Sequence, residues 1–84
     1  MKNVTIYTGP MCNYCEAAKR LLKRNNATYN EINIAKVEGA IDEMISKANG
    51  KRTIPQIFFD DQHIGGYDEI RALEKENKLK ELLK

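Results

Sequence analysis

Much that specialised proteins rely on is scarce in this sequence: its 84 residues include no tryptophan, two cysteines, one histidine and two prolines. Without tryptophan the core has to come from Ile, Leu, Val and Ala, and a chain this short buries a smaller share of its surface than a larger one. One domain over residues 1–84 is therefore expected. Fourteen basic side chains against twelve acidic leave a net charge of +2, far from the excess that a phosphate backbone as main partner would select, so no nucleic acid is expected. No run approaches the roughly 20 apolar residues of a membrane span. Met1–Thr8 has one lysine but neither a sustained apolar stretch nor a small-residue cleavage site, and it reads as no secretory signal. The expected location is cytoplasmic, where most thiols are kept reduced and a purely structural disulfide is out of place. In that compartment Asn3-Val4-Thr5 and Asn26-Ala27-Thr28 match the glycosylation pattern only by chance. There is no repeat, linker or low-complexity tract.

What is present is a regular alternation of patterns. Val4, Ile6 and Tyr7, with Thr5 and Thr8, make a β-favouring run that stops at Gly9-Pro10, predicting a strand over about 3–8. From Asn13 to Asn25 the spacing turns helical: Cys15, Ala18, Leu21 and Leu22 share one face, and Lys19, Arg20, Lys23 and Arg24 crowd the other. Tyr29–Ile34 alternates with period two and reads as a second strand. Val37, Ala40, Ile41, Met44, Ile45 and Ala48 trace one face of a second helix, closed by Asn49-Gly50. Gln56–Phe59 follows Thr53-Ile54-Pro55 as a third strand, with Pro55 at its start, where a missing N–H is tolerable. Asp60-Asp61-Gln62 is a turn, and His63-Ile64 returns as a fourth strand of a hairpin before Gly65-Gly66. Asp68 and Glu69 then open helical segments that run to the end with an interruption near Asn77. The order is β-α-β-α-β-β-α.

The chemistry sits in Cys12-Asn13-Tyr14-Cys15, at the junction where the first strand gives way to the first helix. A C-x-x-C pair beside a βαβ pattern is a signature of thioredoxin-like redox proteins. The physical reason is that one helical turn brings both sulfurs within disulfide reach. The free N–H groups and positive dipole end of that turn stabilise a thiolate on the first cysteine. Cys12 is thus the expected exposed nucleophile and Cys15 the more buried resolving thiol. A thiolate there attacks a disulfide sulfur, forms a mixed disulfide, and is released by an external thiol or by Cys15, with no metal needed. A structural disulfide is disfavoured by the compartment. Half of a zinc site is disfavoured because only His63 remains where four donors are required.

These residues resemble the glutaredoxin family, in particular its dithiol, single-domain bacterial type. The likeness runs through Ile6-Tyr7-Thr8, Cys12-Asn13-Tyr14-Cys15, Thr53-Ile54-Pro55-Gln56-Ile57-Phe58 and His63-Ile64-Gly65-Gly66-Tyr67-Asp68-Glu69. Thioredoxins, which usually carry Trp before the first cysteine and Gly-Pro between the two, are a weaker match to Met11 and Asn13-Tyr14. The resemblance implies an α/β thioredoxin fold, a four-stranded mixed β-sheet flanked by helices, with Pro55 in the cis form facing the cysteines. It implies a glutathione-dependent thiol–disulfide oxidoreductase acting on glutathionylated and disulfide-containing proteins, with glutathione as co-substrate. It also implies a glutathione site: Ile54, within Thr53-Ile54-Pro55, pairs its backbone with the ligand cysteine. Gly66 and Tyr67 lie at a helix start that receives the γ-glutamyl carboxylate, and Asp68 accepts from the ammonium. Tyr14 flanks the groove. Lys51 and Arg52 have two readings, contact with the glycyl carboxylate or a solvated loop. Tyr7 is core or rim, and Lys19, Arg20, Lys23 and Arg24 are mainly a solvated face.

Three positions depart from the family pattern. Asn13 stands where proline is common, which restores a backbone N–H beside Cys12. Some relatives without that proline hold an iron–sulfur cluster between two subunits. A 2Fe-2S carrier dimer with Cys12 and glutathione as ligands is therefore the alternative reading to a monomeric enzyme. Gly9 stands where a lysine is common, removing a cation near the thiolate. Tyr67 stands where small residues are usual and is expected to narrow the groove or reshape its edge.

Overall fold

A computed structural model describes residues 1–84 and follows the alternation read from the sequence. β1 (Val4–Thr8) leads through Gly9-Pro10 into α1 (Asn13–Arg24), and β2 (Asn30–Asn33) and α2 (Ala40–Lys47) come next. β3 (Gln56–Phe59) and β4 (Gln62–Gly65) form the hairpin, and α3 (Tyr67–Lys75) and α4 (Leu79–Leu83) close the chain. The strands form one mixed sheet in the order β2-β1-β3-β4. β1 is parallel to β2 and antiparallel to β3, which is antiparallel to β4.

Alternation along the two central strands divides the core. Val4 and Ile6 of β1 and Ile57 and Phe59 of β3 pack with Ala18, Leu21 and Leu22 of α1, Ile70 of α3 and Leu79 and Leu83 of α4. On the opposite face Tyr7 and Phe58 form a smaller cluster with Met44 and Ala48 from the α2 side, and the half-buried Ile32, Ile34, Ile45 and Ile54 pack against it. Three helices thus cover one face and one helix the other. Tyr7 is core, 1% exposed, and its hydroxyl donates to Glu43 Oε1 at 2.6 Å. Burial, reinforced by that carboxylate, pushes the Tyr7 phenol up to about 12.

Four details differ from the sequence reading. The second helix begins only at Ala40, after Gly39 at φ +79°, so Val37 lies outside it and stays exposed. Ile41 is exposed too, because the buried stripe is Ala40-Met44-Ala48 and Ile41 sits one residue round the helix from it. Gln62 belongs to β4, leaving a tighter turn at Asp60-Asp61. Asp60, at φ +53°, ties that turn back: its N–H donates to the Asn3 carbonyl at 2.7 Å. Lys19 is half-buried rather than solvated, held by Glu16 at 2.7 Å and Glu31 at 3.1 Å. The interruption near Asn77 is present, at φ +59°, and it separates α3 from the additional helix α4.

Candidate functional site

Cys12 is the N-cap of α1, in extended backbone at φ −111° and ψ 100°, and its Sγ accepts from the Cys15 N–H at 3.1 Å. That cap places the sulfur among the first N–H groups of a twelve-residue helix, at the positive end of its dipole. Cys15, one turn on and fully buried, is joined to Cys12 by a disulfide with its Cα 5.2 Å away. The expected exposure difference holds: Cys12 is partly exposed and Cys15 is not. Met11 just before the pair is at φ +54° and fully exposed.

Beside the cysteines runs an open groove of about 340 Å³. Of the residues proposed for a ligand, Tyr14, Lys51, Thr53, Ile54, Pro55, Gly66, Tyr67 and Asp68 all line it. Arg52 does not; it is exposed on the loop outside. The Ile54–Pro55 peptide is cis, and the Ile54 carbonyl oxygen lies 3.9 Å from Cys12 Sγ. Ile54 falls outside every strand, and neither its N–H nor its carbonyl oxygen pairs with any backbone group. The proline loop therefore shows a free sheet-like edge next to the sulfur.

The opposite wall is the start of α3. Gly66 is its N-cap, and a Cβ there would stand 3.1 Å from the Pro55 carbonyl oxygen, so glycine lets the two walls approach. Glu69 Oε1 accepts from the Gly66 N–H, while the N–H groups of Tyr67 and Asp68 have no acceptor in the chain. Tyr14 and Tyr67 face each other with ring centroids 5.7 Å apart, bridging the starts of α1 and α3. The sequence reading placed both tyrosines at the groove but did not pair them. It also missed Gln56, His63 and Glu69, which line the groove as well. A glutamine interrupting the apolar run after Pro55 was the one available signal for a polar role inside the sheet.

Two helix starts converging on one groove favour an anionic ligand. Lys19 is not available to meet it. The Glu16 carboxylate, and then Glu31, hold its ammonium in the charged form against burial. Glu31 is kept below the usual carboxylate range, first by the Thr8 hydroxyl and then by Lys19. No group of three or more His, Cys, Asp or Glu side chains in the chain is placed to hold a metal ion. No helix is long and apolar enough to cross a membrane.

Comparison with known proteins agrees with this geometry. The family model described as Glutaredoxin matches residues 4–64. Glutaredoxin 3 of Escherichia coli strain K12 is 45% identical over 84 residues, covering all of both chains. The solution structure of glutaredoxin from Brucella melitensis superposes with a TM-score of 0.86 at 46% identity, covering 100% of this chain and 90% of that one. The crystal structure of a buckwheat glutaredoxin–glutathione complex superposes with a TM-score of 0.84 at 28% identity, covering 95% and 74%.

Proposed function

The chain belongs to the glutaredoxin family and is a thiol–disulfide oxidoreductase, and from that premise we propose that its reductant is glutathione, bound along the groove with its sulfur at Cys12. The observation that carries this reading is the unpaired Ile54 backbone beside the Cys12 sulfur. An extended peptide laid there gains two main-chain hydrogen bonds and delivers its own sulfur to the nucleophile. Glutathione has that form, with a carboxylate at each end. The γ-glutamyl carboxylate meets the free N–H groups of Tyr67 and Asp68, and the Asp68 carboxylate accepts from the neighbouring ammonium. Lys51, inside the groove, takes the glycyl carboxylate, and Arg52 stays in solvent. Tyr14 and Tyr67 cover the ligand's aliphatic part.

The cycle follows from where the sulfurs stand. Cys12, as thiolate, attacks the glutathione sulfur of a mixed disulfide; that S–S bond breaks and the substrate thiolate leaves. A second glutathione thiolate attacks the glutathione sulfur now on Cys12, releasing oxidised glutathione and restoring the Cys12 thiolate. With a protein disulfide, Cys12 bonds to one substrate sulfur. Cys15 then attacks Cys12, so the substrate leaves reduced and the Cys12–Cys15 bridge remains for two glutathiones to reopen. One copy of the chain holds every group used, so the proposal needs no second subunit. The reduced glutathione pool it requires fits the cytoplasmic location expected from the sequence. The test is to treat Cys15→Ser with oxidised glutathione. One adduct is expected, on Cys12, with amide resonances shifting at Ile54, Tyr67 and Asp68. Shifts confined to other faces of the chain would refute the assignment of the groove.

A further inference from the structure

The proline loop is the wall of the groove with the least backbone support. β3 begins at Gln56, so neither Thr53 nor Ile54 is held by the sheet. Thr53 is tied instead by the Gln56 side chain, whose Nε2 donates to the Thr53 carbonyl at 3.0 Å and lies 3.1 Å from the Thr53 hydroxyl. Gln56 is 3% exposed, and a carboxamide buried that deeply has to satisfy both of its ends. Its Oε1 lies 2.7 Å from His63 Nε2 on the neighbouring strand. Chemistry fixes the direction of each bond. The Thr53 carbonyl can only accept, so the amide nitrogen must face it; Oε1 then faces β4, and His63 must present an N–H at Nε2. The ring's Nδ1 is left as an acceptor 3.4 Å from Asn49 Nδ2, and the ring rests against Phe58 with centroids 5.0 Å apart.

We propose that His63 is a positioning residue for the ligand groove: its Nε2–H orients the Gln56 carboxamide, which anchors Thr53 and so holds the free Ile54 backbone in line for a bound peptide. This rests on the glutathione reading of the groove. Without that N–H, Gln56 either buries an unsatisfied oxygen or flips it against the Thr53 carbonyl, where two acceptors repel. His63 touches neither sulfur, so its loss falls on the ligand's fit and not on the bond-breaking step.

The experiment compares wild type with His63→Leu, His63→Gln, Gln56→Met and the double variant, using the mixed disulfide of glutathione and mercaptoethanol as substrate. His63→Leu is expected to raise KM roughly five- to tenfold with little change in kcat, the scale of one lost hydrogen bond. His63→Gln, which can offer an amide N–H near the ring's Nε2, is expected to restore KM. Gln56→Met is expected to match His63→Leu, and the double variant to lose no more than either, because all break one tether. The rate of Cys12 alkylation is expected to stay constant through the series. A wild-type KM in His63→Leu, or a His63→Gln as poor as His63→Leu, would overturn the proposal. Should His63→Leu fail to fold, Gln56→Met at wild-type KM overturns it equally. Wild type that never turns over the glutathione substrate would overturn the groove assignment and this inference together. Normal wild-type turnover with an unaffected His63→Leu removes this inference alone.

Discussion

Helices α1 and α3 lie side by side and run in the same direction, yet their two ends are built to opposite rules. At the C-terminal end Glu74 of α3 is saturated with donors. Arg24 Nη2 and Nε reach it at 2.7 and 2.9 Å, Asn25 Nδ2 at 2.8 Å and Arg71 Nη1 at 3.2 Å. At the N-terminal end the N–H groups of Tyr67 and Asp68 have no acceptor, and the facing Ile54 backbone is unpaired. The Tyr14–Tyr67 ring contact spans that end. Between them the same apolar stripe holds both helices to the sheet. One end is closed by side chains and fixes the pair of helices; the other is left with donors to spare, and that is where a reactive sulfur and an anionic peptide can use them.

The comparison breaks most severely when the shared stripe is removed. Leu21 of α1 is fully buried in that stripe, and Leu21→Ala is expected to cost about 2–5 kcal/mol of stability in denaturant unfolding, the range for a large core cavity. A smaller effect confined to the open end is expected from Gly66→Ala. The new Cβ would press on the Pro55 carbonyl oxygen at 3.1 Å, spreading the groove walls and raising KM for glutathione substrates several-fold with little change in melting temperature. Gly9→Ala sharpens the point. Its Cβ would meet Ile54 Cδ1 at 2.7 Å, but that is the tip of a side chain able to turn away, so steady-state kinetics should move far less.

The smallest effect belongs to the closed end and shows as pH dependence. Arg24, with help from Asn25, holds the Glu74 carboxyl down at about 2. The unfolded chain therefore takes up this proton near the ordinary glutamate range, while the folded chain resists until about pH 2. Stability contributed by Glu74 is full above the unfolded value and is lost as pH falls through that window. Glu74→Gln is expected to flatten the melting temperature against pH there. The effect should be modest and weaken with salt, because Arg24 is half-exposed. Turnover at neutral pH should be unchanged.

The sequence showed where chemistry could sit more readily than what holds it in place. Helical spacing located α1, and β-favouring runs bounded by turn residues located β1 and β3, because burial leaves its mark on residue choice. Cys12-Asn13-Tyr14-Cys15 at a strand-to-helix junction was legible for the same reason. The α2 face was misread at Val37 and Ile41, since spacing alone does not say that Gly39 delays the helix start. Contacts between distant segments left no local trace. Tyr14 on Tyr67, Gln56 with His63 and Arg24 with Glu74 join residues far apart in sequence. That Lys51 lines the groove and Arg52 does not depends on loop geometry that periodicity does not encode.

The most direct test is turnover of the glutathione–mercaptoethanol mixed disulfide, coupled to NADPH and glutathione reductase, for wild type, Cys12→Ser and Cys15→Ser. A glutathione-dependent enzyme with Cys12 as its single nucleophile predicts activity in wild type and Cys15→Ser and none above background in Cys12→Ser. Turnover surviving in Cys12→Ser, or an inactive wild type, would contradict it.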